Sequence, residues 1–164
     1  MNFMRLKLIF YFLVVSFFWM SNTFLFAQKS NVLQFDTSKT AILQFVPSVI
    51  HSDTTYKPTT YTQNDIYLVE SLFVKCVNHF NKSLGKKFKS ESINLKNNNY
   101  RKQLIFVKNK KGEKEVWVNC FCETSNANWK TEFVGVSDGG NCYFNLKINL
   151  ATKKYYNLRI NGEA

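Results

Sequence analysis

Histidine is scarce in this chain, which has only His51 and His79 among its 164 residues. A Cys–His nucleophile pair would need His79 beside Cys120 or Cys122. The helical spacing around His79 places it on the polar side of its predicted helix, away from the strands that carry those cysteines. We therefore interpret His79 as an exposed helical residue.

Acidic residues are also few, with 11 Asp and Glu against 22 Lys and Arg. None falls at a predicted core position, so we expect no buried carboxylate that serves as a general base. Asp138 stands in a Ser-Asp-Gly-Gly turn, where its carboxylate is expected to accept local backbone N–H groups. No glycine-rich phosphate loop or glycosidase-like acid pair is found. The sequence predicts a non-enzymatic protein without catalytic residues or a cofactor; an enzyme with an unrecognised pocket is the alternative.

The first 27 residues have the order of a secretory leader. Arg5 and Lys7 precede an apolar run at residues 8–19, and a short polar step then leads to Ala27, a small residue suited to cleavage. This order predicts a signal peptide over residues 1–27, cut after Ala27, and a secreted or periplasmic protein. The alternative is an uncleaved anchor, since the 20 residues at 8–27 are about long enough to span a bilayer.

The net charge is strongly positive, at +11 for the whole chain and +9 once Arg5 and Lys7 leave with the leader. A basic balance favours nucleic acid or an anionic membrane when the cations form a patch. Here the lysines gather in predicted turns, at residues 86–89, 108–114 and 153–154, where they aid solubility and block pairing of strand edges. We therefore expect no nucleic-acid partner and no membrane insertion after cleavage.

Residues 28–61 and 62–164 differ in composition. The first segment is rich in Thr, Ser and Asn and contains both prolines, Pro47 and Pro58, which predicts an extended N-terminal arm with one short strand within residues 40–46. The second has regular apolar periodicity, which predicts a single α+β domain. Without the leader the chain has the length of one domain, and we expect a monomer.

A 20-residue amphipathic helix is predicted between Thr62 and Gly85. Thr62 suits the N-cap position, and Asp65 three residues later forms a variant capping box. Gly85 supplies a C-terminal stop. The apolar positions recur at helical spacing: Ile66, Val69, Phe73, Cys76, Val77, Phe80 and Leu84. Such a continuous apolar face needs a broad surface to lie on.

Alternating residues after this helix predict an antiparallel sheet. Strands are expected at residues 101–107, 113–122, 130–136, 141–150 and 155–160. A Lys-Asn-Lys-Lys-Gly turn joins the first two, and Ser-Asp-Gly-Gly joins the third and fourth. One long N-terminal helix packed on a curled antiparallel sheet of four to five strands is an α+β layer pair, and its order resembles the cystatin-like fold.

Three short motifs resemble a family of small exported Bacteroidota proteins of unknown function. They are WVNCFC at residues 117–122, DGGNCYF at 138–144 and NGEA at 161–164, and the similarity covers residues 56–164. The resemblance implies export and the cystatin-like fold but no particular activity. Cystatins themselves inhibit papain-type proteases through a Gln-x-Val-x-Gly hairpin, and residues 132–136 are only superficially similar to it.

Cys76, Cys120, Cys122 and Cys142 have three possible interpretations. In an exported protein an even number favours disulfides, with three possible connectivities. A bridge from Cys120 or Cys122 to Cys142 requires adjacent strands, because second-neighbour strands lie about 10 Å apart, and residues 123–140 would then be an excursion. Buried free thiols, above all Cys76, are the second interpretation. A Cys₄ metal site is the third, although it usually needs two pairs at turn-like spacing, so no metal is predicted.

The side of the sheet away from the helix is expected to carry aromatic and amide side chains. The aromatic residues expected there are Trp117, Phe121, Tyr143 and Tyr155. This face suits a partner, since aromatic residues dominate interface energies; alternatively the N-terminal segment covers it, or the aromatics form cross-strand pairs. The sequence thus predicts a protein-interaction or inhibitor-type module with an unknown protein partner. A periplasmic immunity-like partner of a toxin or hydrolase is the alternative.

Overall fold

Residues 35–47 and 55–162 are described by a computed structural model of the chain. The strands and the long helix are β1 (Thr40–Leu43), β2 (Lys57–Pro58), α1 (Gln63–Ser83), β3 (Arg101–Lys108), β4 (Lys114–Phe121), β5 (Tyr143–Asn149) and β6 (Lys154–Ile160). The predicted leader, its cut after Ala27, the anchor alternative and His51 lie outside the described residues. No helix within the described ranges is both long and apolar enough to cross a bilayer.

The strands form one open, mixed sheet in the order β1-β3-β4-β5-β6, with β2 paired to the end of β3. From β3 to β6 the pairing is antiparallel, as expected. β1 instead runs parallel to β3, so the expectation of a purely antiparallel sheet was wrong. The physical reason is that the chain passes through α1 between these two strands, and such a crossover can bring strands side by side in the same direction.

The capping predicted for α1 is confirmed. The Thr62 side chain accepts a hydrogen bond from the backbone N–H of Asp65, and the Asp65 carboxylate accepts one from the backbone N–H of Thr62 at 2.7 Å. Lys114 on β4 donates to the same carboxylate at 2.7 Å, so the cap also ties α1 to the sheet. The helix lies at the predicted residues, but it is mid-chain and not the N-terminal element, since the short strand predicted within residues 40–46 precedes it and joins the sheet as β1.

The main core lies between α1 and the inner face of the sheet, defined as the face toward α1. Its members include Val69, Phe73, Val77, Leu104, Val118, Phe144, Leu146 and Ile148. Glu70 on α1, which is buried at 9 % exposure, pairs with Lys102 on β3. The expectation that no core position carries an acidic residue was therefore wrong, since a carboxylate can be buried together with its cation.

Residues 123–142 form an excursion between β4 and β5, not the strand predicted at 130–136. A disulfide between Cys122 and Cys142 closes the excursion at the ends of these adjacent strands, with Cα atoms 5.1 Å apart. Cys76 and Cys120 are free and buried. The backbone of the excursion needs no strand ladder, because the buried side chain of Gln103 bonds to several of its peptide groups.

A bulge in β6 decides which of its side chains reach the outer face, the face opposite α1. Asn157 has a φ of +54°, and the register against β5 shifts at this point. Before the bulge, Tyr155 pairs with the core residue Ile148 and lies toward α1. After it, Arg159 pairs with Asn145 on the outer face. The expected outer position of Tyr155 was therefore wrong.

Candidate functional site

Two segments cover parts of the outer face and leave a groove beside them. The excursion packs Trp129 and Val134 against Phe121. The second segment is the chain before α1, from which Tyr56 packs against Ile105 on another part of the outer face. The uncovered groove has a volume of about 580 Å³, which lies in the size range of ligand-binding clefts.

The groove has a polar floor and a partly apolar wall. Trp117 and Tyr143 line it together with polar residues: Asn119, Asn145, Lys147, Asn157, Arg159 and Asn161. Residues 133–136 of the excursion form the wall, in which Phe133 and Val136 are 37 % and 38 % exposed. The groove therefore offers both hydrogen-bonding groups and apolar contact to a partner.

Trp117 and Lys147 are cross-strand partners at the centre of the floor. Lys147 Nζ lies 3.8 Å from the centroid of the Trp117 ring and 5.3 Å from the centroid of the Tyr56 ring. Tyr56 also meets Trp117 edge-on, with ring centroids 5.7 Å apart. A cation over an indole is attracted to it by about 0.5–2 kcal/mol. The indole is therefore held in place, and its buried N–H has no acceptor among the described residues.

Two amide side chains of the sheet hold the wall. Gln103, which is 0 % exposed, donates to the carbonyl oxygens of Trp129 at 2.5 Å and Glu132 at 2.7 Å. Its own oxygen accepts from the backbone N–H of Val134 at 3.0 Å. Asn119 donates to the oxygen of Gln103 at 3.1 Å and to the Val134 carbonyl at 2.8 Å. A buried amide network with its groups paired gives the wall one defined position.

The described lining of the groove carries cationic side chains. They are Lys147 and Arg159, and none of the described lining residues is Asp or Glu. The ion pairs among residues 35–47 and 55–162 both join α1 to the sheet, and Arg159 belongs to neither. Its side chain is exposed beside Asn145, its cross-strand partner. A guanidinium presents five donors in a planar fork that fits a carboxylate.

The four aromatic residues predicted for a binding face have separate places. Trp117 and Tyr143 line the groove. Phe121 is fully buried, with the Trp129 ring edge-on at 5.8 Å, so the excursion covers that part of the face. Tyr155 lies on the inner side, where its hydroxyl is 3.5 Å from Nδ1 of His79 on α1. The groove is thus lined by two of the four predicted aromatic residues, Trp117 and Tyr143.

Sequence patterns alone do not identify Arg159 or the wall as parts of a site. Because alternation predicts a strand at residues 130–136, the sequence gives no indication of a wall above the sheet. The available signal for the bulge was Asn157, because asparagine tolerates positive φ better than most residues. The fold also brings Arg159 beside Asn145, and no local sequence pattern indicates that pair.

A second cleft, of about 340 Å³, is lined by Glu115. Glu115 is only 3 % exposed, so it is a second buried acidic residue that the sequence did not predict. It accepts hydrogen bonds from Tyr56 at 3.2 Å, Asn109 at 2.6 Å and Asn149 at 3.3 Å. Burial, together with a hydrogen bond to Glu115, raises the pKa of Tyr156. A carboxylate has about four acceptor sites, so these four donors occupy it and leave a poor general base.

The free cysteines do not form a thiolate site. Burial raises the pKa of Cys76 to about 11 and raises the pKa of Cys120 as well. Both thiols therefore keep their protons at neutral pH, whereas nucleophilic and metal-binding cysteines react as thiolates. Within the described part of the chain, no group of three or more His, Cys, Asp or Glu residues is placed to hold a metal ion.

Comparisons of this chain with protein-family models, curated proteins and solved structures find no match. The resemblance to small exported Bacteroidota proteins stays a prediction from the three sequence motifs.

Proposed function

We propose that this chain is an exported, non-enzymatic binding module of the protein-interaction or inhibitor type. The observation that carries the proposal is the groove on the outer face of the sheet. Its fixed polar floor lies beside an apolar wall that is partly exposed. Interfaces combine the same elements, namely aromatic and arginine contacts with satisfied polar groups around them.

The preorganisation of the groove supports a binding role. Gln103 and Asn119 fix the wall through backbone groups of the excursion. Lys147 fixes the Trp117 ring in the floor. Because these parts are ordered before a partner arrives, association costs little further conformational entropy on this side of the interface.

The titratable groups favour binding over catalysis. The carboxylate of Glu115 is occupied by its donors, and the thiols of Cys76 and Cys120 are buried and protonated. His79 is exposed on α1, on the other side of the sheet from the groove. The described residues of the groove offer cationic and amide side chains. Such groups can bind a partner through ion pairs and hydrogen bonds, with no transfer of a proton.

Export and the cystatin-like arrangement are part of the same proposal. The leader at residues 1–27 supports a secreted or periplasmic location, and the Cys122–Cys142 disulfide supports it independently, since disulfides persist in oxidising compartments. The packing of α1 on the β3–β6 meander supports a cystatin-like fold, to which β1 is an addition.

Site-specific photo-crosslinking in the native envelope tests the proposal. A benzoylphenylalanine placed at the exposed groove residue Asn145 is expected to give a specific covalent adduct with one protein. The matched control places the same residue at Lys75, which is exposed on α1. An adduct from position 75 alone, or none from position 145, would contradict the proposal. Identification of the adduct as a toxin or hydrolase would narrow the function to an immunity-like one.

A further inference from the structure

We propose that the groove binds an acidic, extended polypeptide segment whose carboxylate is held by Arg159. The inference rests on the proposed function and specifies the chemistry of the partner. It follows from the charge of Arg159, the contacts already made by the aromatic rings and the apolar character of the wall.

The cationic side chain of Arg159 selects an anion. No Asp or Glu is among the described residues that line the groove, and Arg159 belongs to neither ion pair of the described chain. The Arg159 side chain is exposed on the floor, next to the amide of Asn145. A carboxylate in this place receives two parallel guanidinium hydrogen bonds, and the neighbouring amide supplies one more donor.

The aromatic residues of the groove favour a peptide over an acidic glycan. Sugar rings bind proteins largely by lying on open aromatic faces. The Trp117 ring has the Lys147 ammonium over it and Tyr56 against it. The Tyr143 ring lies so close to Gly139 that a Cβ there would come within 2.5 Å of it. The protein's own groups therefore contact both rings, which leaves less open aromatic face for a sugar.

The wall and the asparagines match the repeating groups of an extended chain. Phe133 and Val136 are partly exposed and offer contact to apolar side chains. Asn145 and Asn157 are exposed in the floor, and each carboxamide has a donor and an acceptor that pair with a peptide group. An extended segment with an acidic residue between apolar residues would use both sets of contacts.

Nuclear magnetic resonance titration of the purified protein tests this inference. The probe is the acetylated and amidated heptapeptide Ser-Thr-Val-Glu-Val-Thr-Ser, compared with peptides that carry Gln or Lys in the central place. We expect the Glu peptide to shift the Trp117 indole signal and to bind at least fivefold more tightly than the Gln peptide. Arg159→Gln is expected to abolish that preference, and Lys75→Gln on α1 to leave it within twofold. Raising the salt concentration is expected to weaken binding of the Glu peptide more than binding of the Gln peptide.

Three results would overturn the inference. The first is equal affinity for the Glu and Gln peptides. The second is an equal loss of affinity for the Glu peptide in Arg159→Gln and Lys75→Gln. The third is that oligogalacturonate, but not the Glu peptide, shifts the resonance signals of the groove residues. The crosslinking experiment at Asn145 separates this failure from failure of the proposed function. An adduct at Asn145 without any preference for the Glu peptide would retain the groove as a binding site and reject its acidic ligand.

Discussion

The ammonium group of Lys147 on β5 lies 3.8 Å from the centroid of the Trp117 ring on β4. The two residues pair directly across the strands, so the backbone register itself brings the cation over the ring. This contact orders the centre of the groove floor and places a positive charge there.

Lys147→Gln is expected to lower the free energy of unfolding by about 0.5–1 kcal/mol, because it removes the cation from the indole face. Urea unfolding followed by Trp fluorescence measures the change. The matched control is Lys154→Gln, an exposed position on the neighbouring strand β6, for which we expect a change within about 0.5 kcal/mol. Equal effects of the two variants would contradict a specific role of the Lys147–Trp117 contact.

Gln103→Leu is expected to destabilise the protein by about 2–4 kcal/mol. The substitution puts an apolar side chain in the site and leaves the buried carbonyl of Trp129, the carbonyl of Glu132 and the N–H of Val134 without their partner. Hydrogen exchange of the Val134 amide should accelerate more than that of the sheet amides. Gln44→Leu, at an exposed position, is the control. Unchanged exchange at Val134 in Gln103→Leu would show that the network does not hold the wall.

Gly139→Ala is expected to cost about 2–4 kcal/mol of unfolding free energy. Gly139 has a φ of +89°, and a Cβ there would lie 2.5 Å from the Tyr143 ring, so backbone strain and overlap add. Gly112 has a φ of +77°, and a Cβ built there would have no atom within 4 Å apart from its chain neighbours. Gly112→Ala therefore measures the backbone cost alone, which is about 1–2 kcal/mol. Thermal unfolding compares the variants. Equal losses in the two single variants would contradict close packing of Tyr143 on Gly139.

Thiol counting distinguishes the interpretations of the cysteines. The native protein should show no reactive thiol, because Cys76 and Cys120 are buried and Cys122 is bonded to Cys142. Unfolding without reductant should expose two thiols, and unfolding with reductant four. Loss of this bridge, whose partners are 20 residues apart, is expected to lower the unfolding free energy by about 3 kcal/mol. Four thiols without reductant would contradict the disulfide.

Acidification should weaken the attachment of α1 through Asp65. Burial by itself would raise the pKa of this carboxyl, but hydrogen bonds from Lys114 and Thr62 outweigh it and hold the pKa below its ordinary value of 3.8. The unfolded state therefore binds the proton more tightly, so the contribution is complete above about pH 4 and is lost as the pH falls through the folded-state pKa. Asp65→Asn should lose about 1 kcal/mol at pH 7 and show a smaller acid-induced loss in urea unfolding at successive pH values. An unaltered pH profile would contradict this assignment, and Glu123→Gln, at an exposed position, is the control.

The local features of this fold could be predicted from the sequence. The Thr62–Asp65 cap depends on residues three apart, and the alternation in β5 depends on residues two apart. The strand at residues 40–43 also has a local apolar pattern, but its parallel pairing depends on a crossover through α1. Short-range patterns thus indicate elements, whereas strand direction requires the whole chain.

The candidate site was only partly predictable because its parts come from distant residues. Trp117 and Tyr143 follow from strand alternation. Gln103 binds peptide groups 26 to 31 residues away, which removes the need for a strand in the excursion. The bulge at Asn157 reverses the expected face of Tyr155, because one extra residue interrupts the two-residue period of the strand.

The most direct test of the groove as the binding site is to fill it in the intact protein. Asn145→Trp adds a large side chain to the exposed floor, and Lys75→Trp makes the matched change on α1. The partner identified by crosslinking is titrated against both variants and the unaltered protein, with unfolding curves to verify the fold. We predict that Asn145→Trp weakens binding at least tenfold, whereas Lys75→Trp leaves it within twofold. Unchanged affinity of a folded Asn145→Trp variant would contradict the account.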